Sequence, residues 1–214
     1  MKNEKLVIKK IAAIVRVEDI SSCFDKEAVE YHTVSVVNWP EYPYQPDVKF
    51  RVAHDGENIY LNWKVDEKEI KAVCEEDGGA VWKDSCVEFF VSFNASFYYN
   101  IETNCIGKVL VGTGADRTSR KPVPSELVKK IQRWSSVGIQ AISGQTGAWE
   151  LSLIIPKELF YLDAIDGFSG LTGQGNFYKC GDDLEDPHFL SWNPIKNETP
   201  NFHLSDYFGK LLFQ

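Results

Sequence analysis

The sequence has no excess of positive charge and no continuous basic stripe. Its 23 Lys and Arg residues stand against 31 Asp and Glu residues, which gives a formal net charge of −8. Nucleic-acid binding depends on basic side chains that displace counterions from phosphates, so this balance excludes nucleic acid as the expected partner. The densest basic stretch, residues 117–133, is interrupted by Pro122 and Pro124. It predicts a loop followed by a short helix.

Long apolar runs are also missing, and with them the signals for a membrane or for export. The apolar residues at 6–8 and 11–15 are separated by Lys9 and Lys10, so no signal-peptide core of the usual length forms. No window reaches the length of a membrane span. As given, the chain is predicted to be soluble and cytoplasmic, with no membrane partner, unless a leader has been removed. Its oligomeric state is left open.

Paired cysteine motifs are absent as well. The five cysteines form no CxxC pair and have no histidine spacing of the zinc type, so free thiols in a reducing compartment are expected. Cys86 is predicted to be a small core residue, because no neighbour in the sequence would lower the pKa of its thiol. The single methionine, Met1, leaves no His–Met pair for a heme.

The composition is that of one soluble globular domain. Hydrophobic residues make up 43% and charged residues 25% of the 214 residues, and a chain of this length commonly forms a single β domain, here residues 1–214. The aromatic share is 13%, with six Trp and nine Tyr. Such large flat side chains fill the wide core of a β-sandwich or cover a ligand surface.

Alternation of apolar and polar residues predicts strands through most of the chain. Residues 48–52 and 59–65 alternate on either side of the turn sequence at 54–57, which indicates a β-hairpin with Trp63 on the buried face. Further strands are predicted at 11–17, 33–37, 86–93, 97–104, 109–112, 137–142, 149–155, 175–180, 189–192 and 210–213. Short helices are predicted at 122–133 and 156–160. The predicted fold is therefore all-β, an antiparallel β-sandwich of about ten strands with one or two short helices.

The strand at 86–93 has apolar residues on both faces, with Glu88 on the same face as Phe90. Such a strand usually lies in the centre of its sheet, where an unpaired carboxylate would be costly. Glu88 should therefore have a partner in the protein or in a ligand. The next strand places Asn100, Glu102 and Asn104 on one face.

Aromatic and polar residues that suit sugar recognition lie near these strands. Trp82 precedes Glu88, and Trp192, Phe202 and His203 follow in the last part of the chain. Sugar binding uses aromatic faces against the C–H side of the ring, and carboxylate, amide or amine groups for the hydroxyls.

The segment 81–90, Val-Trp-Lys-Asp-Ser-Cys-Val-Glu-Phe-Phe, resembles the W-x-x-D-S-V-E-x-F signature of carbohydrate-binding module family 9, with one residue inserted or shifted before Val87. The tail from Ser191 to Leu211 is similar to the closing segment of that family, in which an aromatic residue lies six positions before Phe-Gly. The likeness covers roughly residues 30–214.

The resemblance implies a non-catalytic β-sandwich that holds the end of a glycan between two aromatic side chains and works beside enzymes, mainly xylanases, that degrade polysaccharides. Trp82 and Glu88 match the signature tryptophan and glutamate. The second stacking tryptophan falls on Phe202, whose smaller ring covers less of a sugar. A family arginine falls near Asn100, and Lys179 or Tyr178 is placed to take the role of an amide. The expected ligand-binding residues are thus Trp82, Glu88, Asn100, Lys179 and Phe202.

Two other functions remain open. A glycoside hydrolase would need paired carboxylates; Asp84 and Glu88 would lie about 13 Å apart on an extended chain, so Glu88 and Glu102 form the better pair. A sandwich whose sugar site has decayed is compatible with the loss of the second tryptophan. In that case Trp82 would pack against protein with no open groove beside it.

An acidic loop gives a weaker alternative. Asp182, Asp183 and Asp186 lie close together after Gly181 and could offer oxygen ligands to calcium, although their spacing is not that of an EF-hand. A solvated acidic loop is the other interpretation.

Overall fold

A computed structural model describes residues 5–214, which are mostly β-structure with two short α-helices. The strands are β1 (Lys5–Lys10), β2 (His32–Thr33), β3 (Val36–Val37), β4 (Asp47–His54), β5 (Asn58–Ala72), β6 (Cys86–Ser92), β7 (Tyr98–Asn104), β8 (Val109–Gly114), β9 (Lys121–Pro122), β10 (Gln132–Ser135), β11 (Ile142–Pro156), β12 (Thr172–Cys180), β13 (Phe189–Ser191) and β14 (Gly209–Phe213). The α-helices are α1 (Ile20–Lys26) and α2 (Ser125–Val128), and 3-10 turns cover Val17–Asp19, Val81–Lys83, Lys157–Phe160 and Ser205–Tyr207. No helix within residues 5–214 is long and apolar enough to cross a membrane.

The strands form one curled, mixed sheet with the order β10-β11-β5-β4-β1-β14-β12-β6-β7-β8-β9. Strand β1, which lies between β4 and β14, is parallel to both neighbours: its first residues pair with β14, and Lys9 and Lys10 pair with β4. The prediction of an antiparallel sandwich of about ten strands is therefore wrong in strand number and in these two parallel pairings. Local alternation could not show them, because they join segments far apart in sequence.

The two halves of the curled sheet pack face to face around an aromatic core. Phe50 on β4 stacks on Phe177 on β12, with ring centroids 3.8 Å apart, and Phe89 on β6 stacks on the same ring at 4.8 Å. Trp63 on β5, opposite Phe50 in the β4–β5 hairpin, is 1% exposed. The predicted hairpin and the buried position of Trp63 are confirmed. Burying such rings supplies a large part of the hydrophobic stabilisation.

Three segments differ from their predicted structure. The helix predicted at 122–133 is only the four-residue α2, because residues after Ile131 form β10 and pair with β11. Residues 137–141 form no strand; they contain a turn at Gly138, where φ is +84°. The residues between the predicted strands at 137–142 and 149–155 lie inside β11, whose register against β5 shifts twice between Ile142 and Gly147. In the first and third of these segments, pairing with another strand overrides the local pattern.

The N-terminal prediction is shifted in sequence. The first strand is β1, whereas the predicted strand at 11–17 has no regular structure before the 3-10 turn that starts at Val17. Its apolar residues Ile11, Ile14 and Val17 instead pack into a small cluster with Ile20 and Phe24 of α1. The alternating apolar residues at 11–17 therefore lie mostly in a loop that packs against α1, and not in a strand.

Strands β6, β7 and β12 are adjacent, and each presents one face to the main core and one face outward. On β6, Val87 and Phe89 face the core, whereas Cys86, Glu88 and Phe90 face outward, as the alternation predicted. The outward face is covered by a second apolar cluster that includes Trp39, Tyr98, Tyr178 and Phe202. β6 is flanked by β12 and β7, which confirms its central position.

Candidate functional site

A cavity of about 560 Å³, including its solvent-open mouth, lies over the outward face of β6, β7 and β12. Three of the five residues expected to bind ligand line it: Trp82, Glu88 and Phe202. Its lining also includes Glu102, Arg120 and His203.

Two carboxylates form the floor of the cavity. Glu88 and Glu102 lie directly opposite each other on β6 and β7, and each is 3% exposed. Burial, with the neighbouring Cys180 and Glu102, raises the pKa of Glu88 well above its usual range. Burial also raises the pKa of Glu102 to about 7, although Arg120 opposes this shift. Glu88 therefore favours its protonated form, in which a carboxyl group can both donate and accept hydrogen bonds.

The two carboxylates differ in their hydrogen-bond partners. Glu102 Oε1 accepts from Asn100 Nδ2 at 2.9 Å and lies 3.4 Å from Arg120 Nη1. The protein donor to Glu88 is the thiol of Cys180, 3.1 Å from Oε1. A thiol is a weak donor, so Glu88 is the less satisfied of the two buried groups. Asn100 is fully buried behind Glu102 and acts on the cavity through that carboxylate.

The turn that presents Trp82 is fixed by the buried carboxylate of Asp84. Asp84 accepts from the backbone N–H groups of Val73 and Cys74, each at 3.0 Å, and from Asn104 Nδ2 at 2.9 Å. Trp82 itself is half-buried and lines the open cavity. This arrangement differs from that expected of a decayed site, in which the indole would pack against protein with no groove beside it.

Phe202 lies in the same cavity but is 7% exposed. Its ring stacks on Tyr178, with centroids 4.2 Å apart and planes 5° from parallel, and Trp39 lies 6.1 Å away. Tyr178 therefore covers one face of the Phe202 ring. The loop that contains Phe202 begins at Asn193, whose backbone is held at both its N–H and its carbonyl by the side chain of Asn176 on β12.

The remaining polar lining comes from residues outside the five that were expected to bind ligand. Arg117 and Arg120 lie in the basic stretch at 117–133, which was predicted as a loop and a short helix, and Asp182 lies just after the end of β12. Burial raises the pKa of Asp182 to about 6. His203 follows Phe202, is hydrogen-bonded through Nδ1 to Tyr98 Oη at 3.0 Å, and has its pKa lowered to about 3 by burial. His203 stood beside Phe202 in the sequence, whereas no local signal marked the arginines.

Lys179 does not lie in this cavity. As its neighbours Tyr178 and Cys180 face outward, Lys179 points into the core, where its Nζ lies 2.7 Å from Glu67 Oε2 on β5 with both side chains 0% exposed. Trp149 Nε1 donates to the other oxygen of Glu67 at 2.6 Å. The expectation that Lys179 contacts ligand is corrected: it is half of a buried ion pair that joins the two halves of the sheet.

The three aspartates of the acidic loop do not converge. Asp183 pairs with Lys83 at 3.1 Å, Asp186 pairs with Lys68 at 2.9 Å, and Asp182 lines the cavity. Within residues 5–214, the one set of three or more potential metal-ligating side chains with mutually close ligand atoms is Cys86, Glu88 and Cys180.

Solved structures provide three close comparisons. A candidate carbohydrate-binding protein from Bacteroides uniformis ATCC 8492 is 41% identical over 100% of both chains, with a TM-score of 0.96. A family 9 carbohydrate-binding module from Caldicellulosiruptor kristjanssonii in complex with glucose has a TM-score of 0.64 at 11% identity, covering 99% of this chain and 96% of that one. The complex with cellotriose gives 0.63 at 11% identity, covering 99% and 94%. At this identity the modules show the shared fold.

A search of curated proteins gave no significant match. The model of the family described as "Carbohydrate-binding family 9" matches residues 18–213, which is nearly the whole chain. The predicted family is thereby confirmed, and the chain belongs to carbohydrate-binding family 9.

Proposed function

We propose that this protein is a non-catalytic carbohydrate-binding domain that holds a sugar in the cavity beside Trp82. The indole would cover the apolar face of the sugar ring, and Glu88 and Glu102 would take its hydroxyls. The exposed edge of Phe202 would close the opposite side of the cavity.

One observation carries this proposal: a buried carboxylate faces an aromatic-walled cavity without a strong donor from the protein. Glu88 is 3% exposed, and its hydrogen-bond donor among residues 5–214 is the thiol of Cys180. A buried polar group with a weak partner is costly, and a sugar hydroxyl would relieve that cost. A hydroxyl both donates and accepts, so it also fits a carboxyl group that favours its protonated form.

The comparisons support a glucose-type ligand. The Caldicellulosiruptor modules of the same fold bind glucose and cellotriose. We extend this to a chain end of a glucan or xylan, because Phe202 and His203 line the cavity together with Trp82 and would limit how far a glycan chain extends through it. We propose on the same basis that the domain works beside enzymes that break down polysaccharides.

Isothermal titration with glucose, cellotriose and xylotriose tests the proposal. We expect binding to at least one of them, and at least a tenfold loss of affinity in Trp82→Ala, which corresponds to about 1.4 kcal/mol. Trp134→Ala is the matched control, because Trp134 is also half-buried but lies on β10, away from the cavity. Equal affinity in wild type and Trp82→Ala, or no binding to any glycan, would contradict the proposal and favour a decayed site.

A glycoside hydrolase is the second candidate, and it rests on the direct opposition of Glu88 and Glu102. Paired carboxylates with raised pKa values are the usual acid–base equipment of such enzymes. Incubation of wild type and Glu88→Gln with aryl glycosides and with cello- and xylo-oligosaccharides separates the two functions. We expect no turnover by either protein, whereas turnover lost in Glu88→Gln would establish the enzyme.

A further inference from the structure

A second cluster of chemical groups lies at the inner end of the cavity and is not needed for sugar stacking. Cys86 on β6 and Cys180 on β12 are direct partners across neighbouring antiparallel strands, and Glu88 follows two residues later on the same face of β6. One ligand atom from each of the three side chains lies within 4.8 Å of the other two, and all three side chains are buried.

We propose that Cys86, Cys180 and Glu88 form a binding site for a thiophilic divalent cation, with Zn²⁺ the best fit, whose open coordination position faces the cavity.

The spacing suits tetrahedral coordination. With Zn–S near 2.3 Å and Zn–O near 2.0 Å, the ligand atoms of a tetrahedral site lie about 3.5–3.8 Å apart. Cys180 Sγ and Glu88 Oε1 are 3.1 Å apart, and the set as a whole lies within 4.8 Å. Small rotations of side chains already in contact would therefore complete the site. The strands that hold them are central in the sheet, which fixes their backbones.

The chemistry of the ligands selects the metal. Two thiolates favour Zn²⁺, Cd²⁺ or Co²⁺ over Ca²⁺ and Mg²⁺, which take oxygen ligands. Burial raises the pKa of the Cys86 thiol to about 12, so these groups are protonated thiols without a metal. Binding of one Zn²⁺ forms two Zn–S bonds and one Zn–O bond and releases the two thiol protons to solvent, together with any proton held by Glu88.

The cavity provides the route by which a cation reaches the site and the space for its remaining ligand. Glu88 and Cys180 line it, whereas Cys86 lies behind them, so a cation would enter from the mouth past Trp82. Three protein ligands leave a fourth position for water or a sugar hydroxyl. Because Glu88 is shared, the cation and a sugar that uses Glu88 would influence each other's binding.

Cobalt substitution tests the site under reducing conditions. The half-buried Cys23 and Cys74 are first replaced in Cys23→Ser/Cys74→Ser, which removes accessible thiols outside the cluster. Titrated with Co²⁺ alone, this protein should bind one equivalent and develop thiolate-to-cobalt absorption in the near ultraviolet together with the intense visible bands of tetrahedral cobalt. Zn²⁺ should abolish both signals by displacement.

Adding Cys86→Ala or Cys180→Ala to this background should each remove the absorption, whereas Cys105→Ala, another buried thiol outside the cluster, should leave it intact. Circular dichroism checks that each variant is folded. Independently, Zn²⁺ should raise the Tm of the background protein by several degrees and should not do so in Cys180→Ala. No cobalt absorption, or absorption that persists in both cluster variants, would overturn the site. Sugar titration in the presence of a chelator is a separate measurement. The sugar site and the metal site can therefore each fail without the other.

Discussion

Glu88 and Glu102 lie directly opposite each other on neighbouring strands at the floor of the cavity, and only Glu102 is paired with an arginine. Two adjacent carboxylates that are both 97% buried would repel each other if both were ionised. The surroundings of the two carboxyl groups therefore differ. Arg120 favours ionisation of Glu102, whereas the protein donor to Glu88 is the thiol of Cys180.

The first prediction concerns this asymmetry. Arg120→Met should raise the pKa of Glu102 above its value of about 7, because the arginine is the main influence that opposes burial there. NMR titration of the side-chain carboxyl carbon measures the shift. Arg133→Met is the control, since Arg133 pairs with Asp77 away from the cavity and should leave Glu102 unchanged. An unaltered titration of Glu102 in Arg120→Met would rule out the ion pair as its determinant.

The second prediction concerns Phe202, which has a structural role as well as its position in the cavity. Phe202→Ala removes a ring that is stacked on Tyr178 and should lower the free energy of unfolding by about 3–5 kcal/mol. Urea denaturation measures this loss. Tyr161→Ala, at an aromatic that is 44% exposed, should change stability by no more than about 0.5 kcal/mol. Equal effects of the two substitutions would show that the stack contributes little.

Lys179 gives a third prediction, which separates fold from ligand contact. Lys179→Met leaves Glu67 buried without its cation and should cost about 3–5 kcal/mol, whereas Lys179→Met/Glu67→Gln should recover part of that loss. Urea unfolding of both variants measures the difference. Sugar affinity of the folded double variant should match wild type. A large loss of sugar affinity in the double variant would indicate that Lys179 contributes to the ligand site.

The fourth prediction concerns pH. Burial lowers the pKa of His203 to about 3, whereas an unfolded histidine titrates near 6.5, so the unfolded state binds more protons between these values. Stability from the neutral imidazole is present above pH 6.5 and is lost as pH falls from about 6.5 towards 3, by up to about 1.4 kcal/mol per unit.

His203→Asn retains a polar partner for Tyr98 and does not titrate. Between pH 6 and 4 its free energy of unfolding should fall less steeply than that of wild type. Urea unfolding at several pH values compares the slopes, and other titrating groups cancel in the difference. Parallel slopes would show that His203 does not contribute to acid sensitivity.

Much of this protein follows from its sequence alone. Alternation of apolar residues determined the β4–β5 hairpin, the two faces of β6 and the buried Trp63, because side chains in a strand alternate whatever its neighbours are. The resemblance of the segment around Trp82 and Glu88 to a known signature indicated the family, and both residues line one cavity. The strand features are local, and local chemistry is sufficient to specify them.

Other features depend on which strands become neighbours. The parallel pairings of β1 and the pairing of β10, which replaces the predicted helix, join residues that are far apart in sequence. The same is true of Lys179, which the family resemblance assigned to the ligand site and which the structure places in the core beside Glu67 on a distant strand. The approach of Arg120 to Glu102 depends on the conformation of a loop. The sequence determined which side chains share a strand face, and the tertiary structure decided which of them meet, because pairing across the sheet is fixed by the packing of the whole core and not by any single segment.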